Sequence, residues 1–371
     1  MDEWLRNAPA SAYRRRHRVD FHRRYENILT RVREIFPHVG FAAARREILA
    51  VARKAAELSP GQSVEQLAES LRAIEEGPGY LTGHDEQHVR TVIHRAGDLL
   101  AAPGANITPR EAFMLLVAIL IHDAGNIYGR KGHEGRVRDI LRLVRGRDLD
   151  AVESRAVQLI VEAHGGRTAA GSKDRIGLEV PPSEAFFDED VRLQFLAALL
   201  RFADELADDY TRAAGVLMAA GELPKQSEAY HYYADSLKSV SVRHDPREVA
   251  LTFYLNRDSA TRKVGYDAGE VYLLDYIFER TLKMHLERVY CSRFLAPYGI
   301  HVDRISVVIR FVDDEERFHD EIAYRLTDQG YPTDGPLDAF CPDLRVPGSQ
   351  ECWSGEVLRN RVLRTQEGNH G

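Results

Sequence analysis

The sequence predicts a mainly α protein, a helical bundle followed by a small α+β module. Three observations carry that expectation. Across residues 62–215, apolar positions recur at helical spacing, with Gly-rich or polar interruptions at 77–83, 102–107, 124–132 and 165–187. Thr108-Pro109-Arg110-Glu111 supplies a cap, a proline suited to a first helical position and the closing residue of a capping box, immediately before the apolar run Phe113–Ile121. Across 235–315 the pattern changes to alternating β-branched and aromatic runs around one long amphipathic stretch.

In chain order, residues 1–60 read as a basic helical segment. Tyr13-Arg-Arg-Arg-His-Arg18, His22-Arg-Arg24, Arg31 and Arg33 interleave with Phe21, Tyr25, Ile28, Leu29, Val32, Ile35 and Phe36. Its plain reading is an amphipathic helix with a basic solvated face, packed on the main domain. Its functional reading is a surface for a polyanion. Pro37 ends it, and a second helix spans 41–58. Residues 61–230 form the helical domain, with helices expected at 63–76, 86–101, 109–122, 133–146, 150–164 and 188–208. Residues 231–315 form the α+β module. Ser239–Arg243 and Val249–Leu255 are strands joined by a turn at His244-Asp-Pro-Arg, the helix covers 268–296, and Ile305–Phe311 is a third strand. Residues 316–371, rich in Pro, Gly and Asp, read as an irregular tail.

Composition limits the function classes. With 44% hydrophobic and 29% charged residues over 371 positions, the chain can build a sizeable core. A net charge of −7 gives no global signal for nucleic acid. Three cysteines without a CxxC fit a reducing compartment. No apolar run reaches membrane-spanning length and the N-terminus lacks a signal-peptide core, so a cytoplasmic protein with no membrane partner is expected. Neither GxxxxGK[ST] nor GxSxG is present, which argues against ATP-driven work and a serine nucleophile elbow.

The chemistry gathers in the helical domain. The run Phe113–Ile121 ends not in a polar cap or glycine but in His122-Asp123, an imidazole beside a carboxylate. Adjacent helical side chains diverge by about 100°, so these two reach one ion only near a helix end. His88 lies near the first turn of an upstream helix. Asp204 sits in the apolar run Phe195–Leu206, where a carboxylate is costly to bury unless paired or bound to a cation. Imidazole plus carboxylate suits a divalent ion such as Mn, Fe, Co, Ni or Zn, and the absence of Cys argues against a structural zinc site.

His88, His122, Asp123 and Asp204, in this order, resemble the pattern of the HD-domain metal-dependent phosphohydrolases: a His, an adjacent His-Asp pair and a distant Asp on a helical bundle. Tyr80-Leu-Thr-Gly-His-Asp-Glu-Gln-His88 and Leu200-Arg-Phe-Ala-Asp-Glu-Leu-Ala-Asp-Asp-Tyr210 are most similar to the HD-CE branch. The stretch from His122 to His133 bears a weaker likeness to the deoxynucleotide triphosphohydrolases.

The resemblance implies an HD-type bundle with one or two divalent ions, Mg included. It implies His88, His122, Asp123 and Asp204 as ligands, Asp123 also orienting the nucleophilic water. His133 and His164 stand where a second ion would be held; with one ion, either contacts phosphate or protonates the leaving oxygen. His84, Arg130, Lys131 and Arg167 flank the set as phosphate-contact candidates, although each is equally readable as a solvated surface group. Arg201 and Glu205 read as a pair along their helix.

Three functions stay open. The first is hydrolysis of a phosphoester or phosphoanhydride in a cyclic nucleotide, dinucleotide messenger or nucleoside phosphate. The second is nucleotide sensing relayed to a protein partner or a second copy through the α+β module. The third is metal-dependent nuclease action, with nucleic acid held by the basic N-terminal helix.

Overall fold

The computed structural model describes residues 20–35, 86–125, 136–186, 189–213, 218, 223–267, 269–312, 318–328, 337 and 341–368. The helices expected at 41–58 and 63–76 lie outside them. The chain divides into two compact units: the first takes in 84–204 and 293–300 together with the N-terminal segment, the second 205–292 and 301–371 together with 78–83. The boundary expected at 230 therefore falls inside the second unit.

The first unit is helical. Its described helices are α1 (Phe21–Ile35), α2 (Glu86–Leu100), α3 (Pro109–Ile121), α4 (Val137–Val144), α5 (Ala151–Glu162), α6 (Arg175–Glu179) and α7 (Leu193–Glu205), the last ending across the unit boundary. α3 is the axis of the unit. Every residue from Arg110 to Ile121 is buried, as an all-round apolar helix must be in a soluble core. It packs against α1, α2 and α5. Each large aliphatic side chain it hides, Leu115 or Ile119 for example, contributes about 1.5–3 kcal/mol.

The predicted capping box forms at its start. Thr108 Oγ1 accepts from Glu111 N at 3.2 Å, and Glu111 Oε2 accepts from Thr108 N at 3.0 Å. Glu111 is fully buried and also accepts from Arg192, at 2.7 Å from Nε and 2.6 Å from Nη2. Arg110 ion-pairs with buried Glu153 at 2.8 Å, and Glu153 closes a second capping box with Asp150 at the start of α5.

The plain reading of the N-terminal helix describes α1. Phe21, Ile28 and Val32 are its buried face. Two of its arginines hold it to the unit: Arg24 pairs with Glu153 and lies 4.4 Å from the Phe113 ring, while Arg31 donates to the Val144 and Arg145 carbonyls at the end of α4 and pairs with Asp148 at 2.7 Å. Two details differ from expectation. The helix expected from 188 starts at Leu193, because β1 (Glu184–Phe186) and β2 (Glu189–Val191) pair antiparallel just before it. The interruption at 165–187 also holds α6, capped by Asp174.

The second unit contains the expected α+β module. After α8 (Glu228–Ser236), the strands β3 (Leu237–Arg243) and β4 (Glu248–Asn256) pair antiparallel around the expected turn. A short helix, α9 (Arg257–Thr261), and a hairpin of β5 (Lys263–Tyr266) and β6 (Gly269–Tyr272) lead into α10 (Leu273–Leu295), whose last residues belong to the first unit. This crossover lets β7 (Arg304–Val312) lie parallel to β4, from Glu248↔Arg304 to Asn256↔Val312. Alternate residues Val249, Leu251, Phe253, Leu255 and Ile305, Val307, Ile309, Phe311 are buried on one face.

The described part of the tail, expected to be irregular, holds a strand and a helix. β8 (Phe318–Thr327) completes the order β3-β4-β7-β8, burying Ile322, Tyr324 and Leu326, and α11 (Gly355–Gly368) follows. The alternation in β8 starts only after Phe318-His-Asp-Glu, which hides it from a periodicity reading. Among the described residues no helix is long and apolar enough to cross a membrane.

Candidate metal centre

Helix ends of the first unit assemble the site. His88 is in the first turn of α2. His122 is the C-cap of α3 and Asp123 follows it. Asp204 is one residue from the end of α7, and His164 lies just past the end of α5. Three of these elements therefore point C-terminal ends at the site, where unsatisfied carbonyls carry partial negative charge and favour a cation.

His88, His122, Asp123 and Asp204 each offer a ligand atom, and these atoms all lie within 4.8 Å of one another. His88 Nε2 is 3.2 Å from Asp204 Oδ1 and 3.6 Å from Asp123 Oδ2. His122 Nε2 is 3.1 Å from Asp123 Oδ2 and 3.5 Å from Asp204 Oδ1. Donors about 2.1 Å from one ion, at octahedral or tetrahedral angles, stand about 3.0–3.4 Å apart, so a cluster of this spacing could hold a shared cation.

The ring orientation agrees. His122 Nδ1–H donates to the Ile119 carbonyl at 2.7 Å, which turns Nε2 and its lone pair towards the carboxylates. That buried Nε2 faces the two carboxylates, at 3.1 Å and 3.5 Å, as a metal-binding nitrogen would. The site is not sealed: the Asp204 side chain is 26% exposed while His88 and His122 are buried.

The electrostatics point the same way. Burial opposes charge on the His122 ring, but the carboxylates of Asp123 and Asp204 win and raise its pKa well above the usual value. Burial likewise opposes charge on Asp204, yet hydrogen bonds from His122 and His88 hold its carboxyl well below the usual range. Such a field draws positive charge, a proton or a metal ion.

His164 repeats the arrangement of His122. Each donates Nδ1–H to the carbonyl three residues back, Val161 for His164 at 2.5 Å, and the two rings meet edge to face at 5.3 Å. Burial, then the neighbouring His122, lowers the His164 pKa, so the ring is neutral near pH 7. It is not one of the four clustered residues. Arg167 is exposed and bonds within its own loop, to the Gly171 carbonyl at 2.8 Å. His84, Arg130, Lys131 and His133 lie outside the described residues.

The expected Arg201–Glu205 pair is replaced: Glu205 meets Lys283 at 2.5 Å and Arg280 at 3.6 Å, because its side chain follows the second unit. Asp208 pairs with Arg280 at 2.6 Å, and Asp209 caps the turn at Tyr210. Sequence reasoning missed the carbonyls of Ile119 and Val161 as orienting groups. The available signal was that His122 and His164 both stand just past the end of an apolar helix.

No curated protein and no solved structure matches the chain significantly. The HD-CE family pattern matches residues 77–283, more than half of the chain, from before α2 through β3–β6 and into α10. The matched span contains all four clustered residues in the order His, His-Asp, Asp. The chain thus belongs to the HD-CE family, a branch of the HD-domain superfamily.

Proposed function

We propose that this chain is a metal-dependent phosphohydrolase cleaving a phosphoester or phosphoanhydride bond of a nucleotide or nucleotide-derived signal. The observation that carries the reading is the convergence of two imidazoles and two carboxylates within 4.8 Å at helix ends, in an HD-type domain of a superfamily whose members are usually metal-dependent hydrolases. When bound there, a divalent ion such as Mn, Fe, Co, Ni, Zn or Mg supplies Lewis-acid polarisation of a phosphoryl oxygen and acidifies water.

The chain's own residues do the remainder. His88, His122, Asp123 and Asp204 hold the ion. Asp123 orients the attacking water through a carboxylate oxygen. His164, neutral and held by Val161, presents Nε2 as an acceptor beside His122, suited to orienting a water or a substrate hydroxyl. His133 is kept as a second-ion or leaving-group candidate, and His84, Arg130, Lys131 and Arg167 as phosphate contacts.

The test is elemental analysis of the purified protein with a nucleotide hydrolysis screen in Mn, Mg, Co and Ni. The wild type is expected to carry metal and release phosphate or nucleoside. The double variant His122→Ala/Asp123→Ala is expected to fold while losing metal affinity by at least about 100-fold and losing turnover. A double variant that keeps metal and activity overturns the reading.

A further inference from the structure

Two carboxylates stand at the C-terminal end of α7: Asp204, one of the clustered residues, and Glu205 directly after it. The last carbonyls of a helix carry partial negative charge, which favours cations and opposes carboxylates there. α7 has no basic residue of its own in that last turn. An ion shared with His88, His122 and Asp123 would answer the charge of Asp204. It does not answer Glu205, because neighbouring helical side chains point about 100° apart.

Glu205 is answered from α10 instead. Its side chain is 9% exposed and meets Lys283 at 2.5 Å and Arg280 at 3.6 Å. These two cations lie three residues apart, on one face of their helix. Arg280 also meets Asp208 at 2.6 Å and lies 5.5 Å from the Tyr233 ring of α8. One guanidinium therefore holds both the last residue of α7 and the segment that follows it. Helix ends fray unless they are tied, and a carboxylate in a fraying turn has no fixed direction. The family match runs on past Asp204 as far as residue 283, and so takes in both cations.

We propose that Arg280 is a positioning residue for metal binding: by holding Glu205 it fixes the last turn of α7 and aims the Asp204 carboxylate at the other clustered residues. This rests on the metal-dependent reading above and deepens it.

The test uses the full chain. Manganese affinity is read from the resonance of the free ion, the ligand field from the visible absorption of the cobalt-loaded protein, and folding from circular dichroism and chemical denaturation. Wild type is expected to bind both ions. Arg280→Gln is expected to weaken manganese about tenfold or more, the usual effect of removing a group that orients a ligand, and to change the cobalt bands at saturating metal. Arg280→Lys recovers part of the loss, because it keeps the charge without the fork. Glu205→Gln also weakens manganese, and the double variant Glu205→Gln/Arg280→Gln loses no more than the larger single loss, because both changes act through one contact.

A folded Arg280→Gln with manganese affinity within about twofold of wild type and unchanged cobalt bands overturns the positioning role, even where its denaturation midpoint falls. Fully additive losses in the double variant overturn it as well. If Arg280→Gln does not fold, the same comparison is made with Arg280→Lys and Glu205→Gln, and wild-type affinity and bands in both overturn it. In each of these cases wild type still binds metal, so the metal-dependent reading stands. Wild type that binds neither ion overturns that reading and the positioning role with it.

Discussion

At the scale of single residues, the candidate metal centre is a balance between burial and charge. His122 is fully buried, yet its pKa is raised because Asp123 and Asp204 face it. The metal-free ring therefore keeps a proton up to a pH above its ordinary value, and a metal ion must displace that proton to bind Nε2. The sign follows directly. Below the raised pKa one proton leaves per ion bound, so affinity rises with pH, approaching tenfold per unit, and levels off once the free ring is neutral. Manganese titrations from about pH 5.5 to 7.5, with proton release read by calorimetry in buffers of different ionisation enthalpy, check this. Affinity that is flat or falls as pH rises would mean that His122 is not a ligand.

At the scale of elements, α3 joins two sites of opposite purpose. Its first turn is fixed by the Thr108–Glu111 capping box and by Arg192, whose pKa is raised by its hydrogen bonds to Glu111. Its last turn delivers His122. Glu111→Ala removes a buried carboxylate, opens the cap and leaves the Arg192 guanidinium with its bonds to Asn106 alone among its oxygen partners. The expected cost is about 3–5 kcal/mol in chemical denaturation. Thirteen residues of α-helix separate the ends by about 20 Å, so metal affinity in the folded variant stays within about twofold. A loss of under about 1 kcal/mol would show that the cap and ion pair contribute little beyond the apolar packing of α3. The same element logic applies to α1: Arg24 and Arg31 are used on Glu153, Asp148 and the end of α4, so these two dock the helix, while Arg23 and Arg33 are exposed.

At the scale of the whole molecule, the units are not contiguous stretches of chain. Residues 293–300 return to the first unit: Tyr298 meets the Phe195 ring edge-on at 5.0 Å and lies 4.6 Å from the Arg192 guanidinium, Ile300 is buried, and Gly299 (φ 85°) lies so close to Gly104 and Ala105 that a Cβ would stand 3.0 Å away. A chain cut at 230 therefore loses part of the first unit's core and also Arg280 and Lys283, the partners of Glu205 and Asp208. Such a fragment is expected to lack a cooperative thermal transition. A fragment 1–230 with wild-type melting and metal affinity would refute this. The family match agrees in extent, running past 230 to 283.

The sequence by itself determined what depends on neighbours in the chain. The cap at Thr108, the apolar run of α3, the alternation of β3, β4 and β7, and the order of His88, His122, Asp123 and Asp204 are local signals, written in a 3.6- or 2-residue period or in adjacent residues. Tertiary structure alone decided what depends on partners far apart in sequence. The 3.2 Å approach of His88 to Asp204, the ring contact of His122 with His164, the diversion of Glu205 to Arg280 and Lys283, and the use of Arg24 and Arg31 as docking groups all join separate elements. β8 belongs to the same class, since its place beside β7 is set by a register with a distant strand. The physical reason is the range of the forces. Backbone dihedrals and helix caps act within a few residues, whereas burial and ion pairing act between whichever surfaces the folded chain brings together.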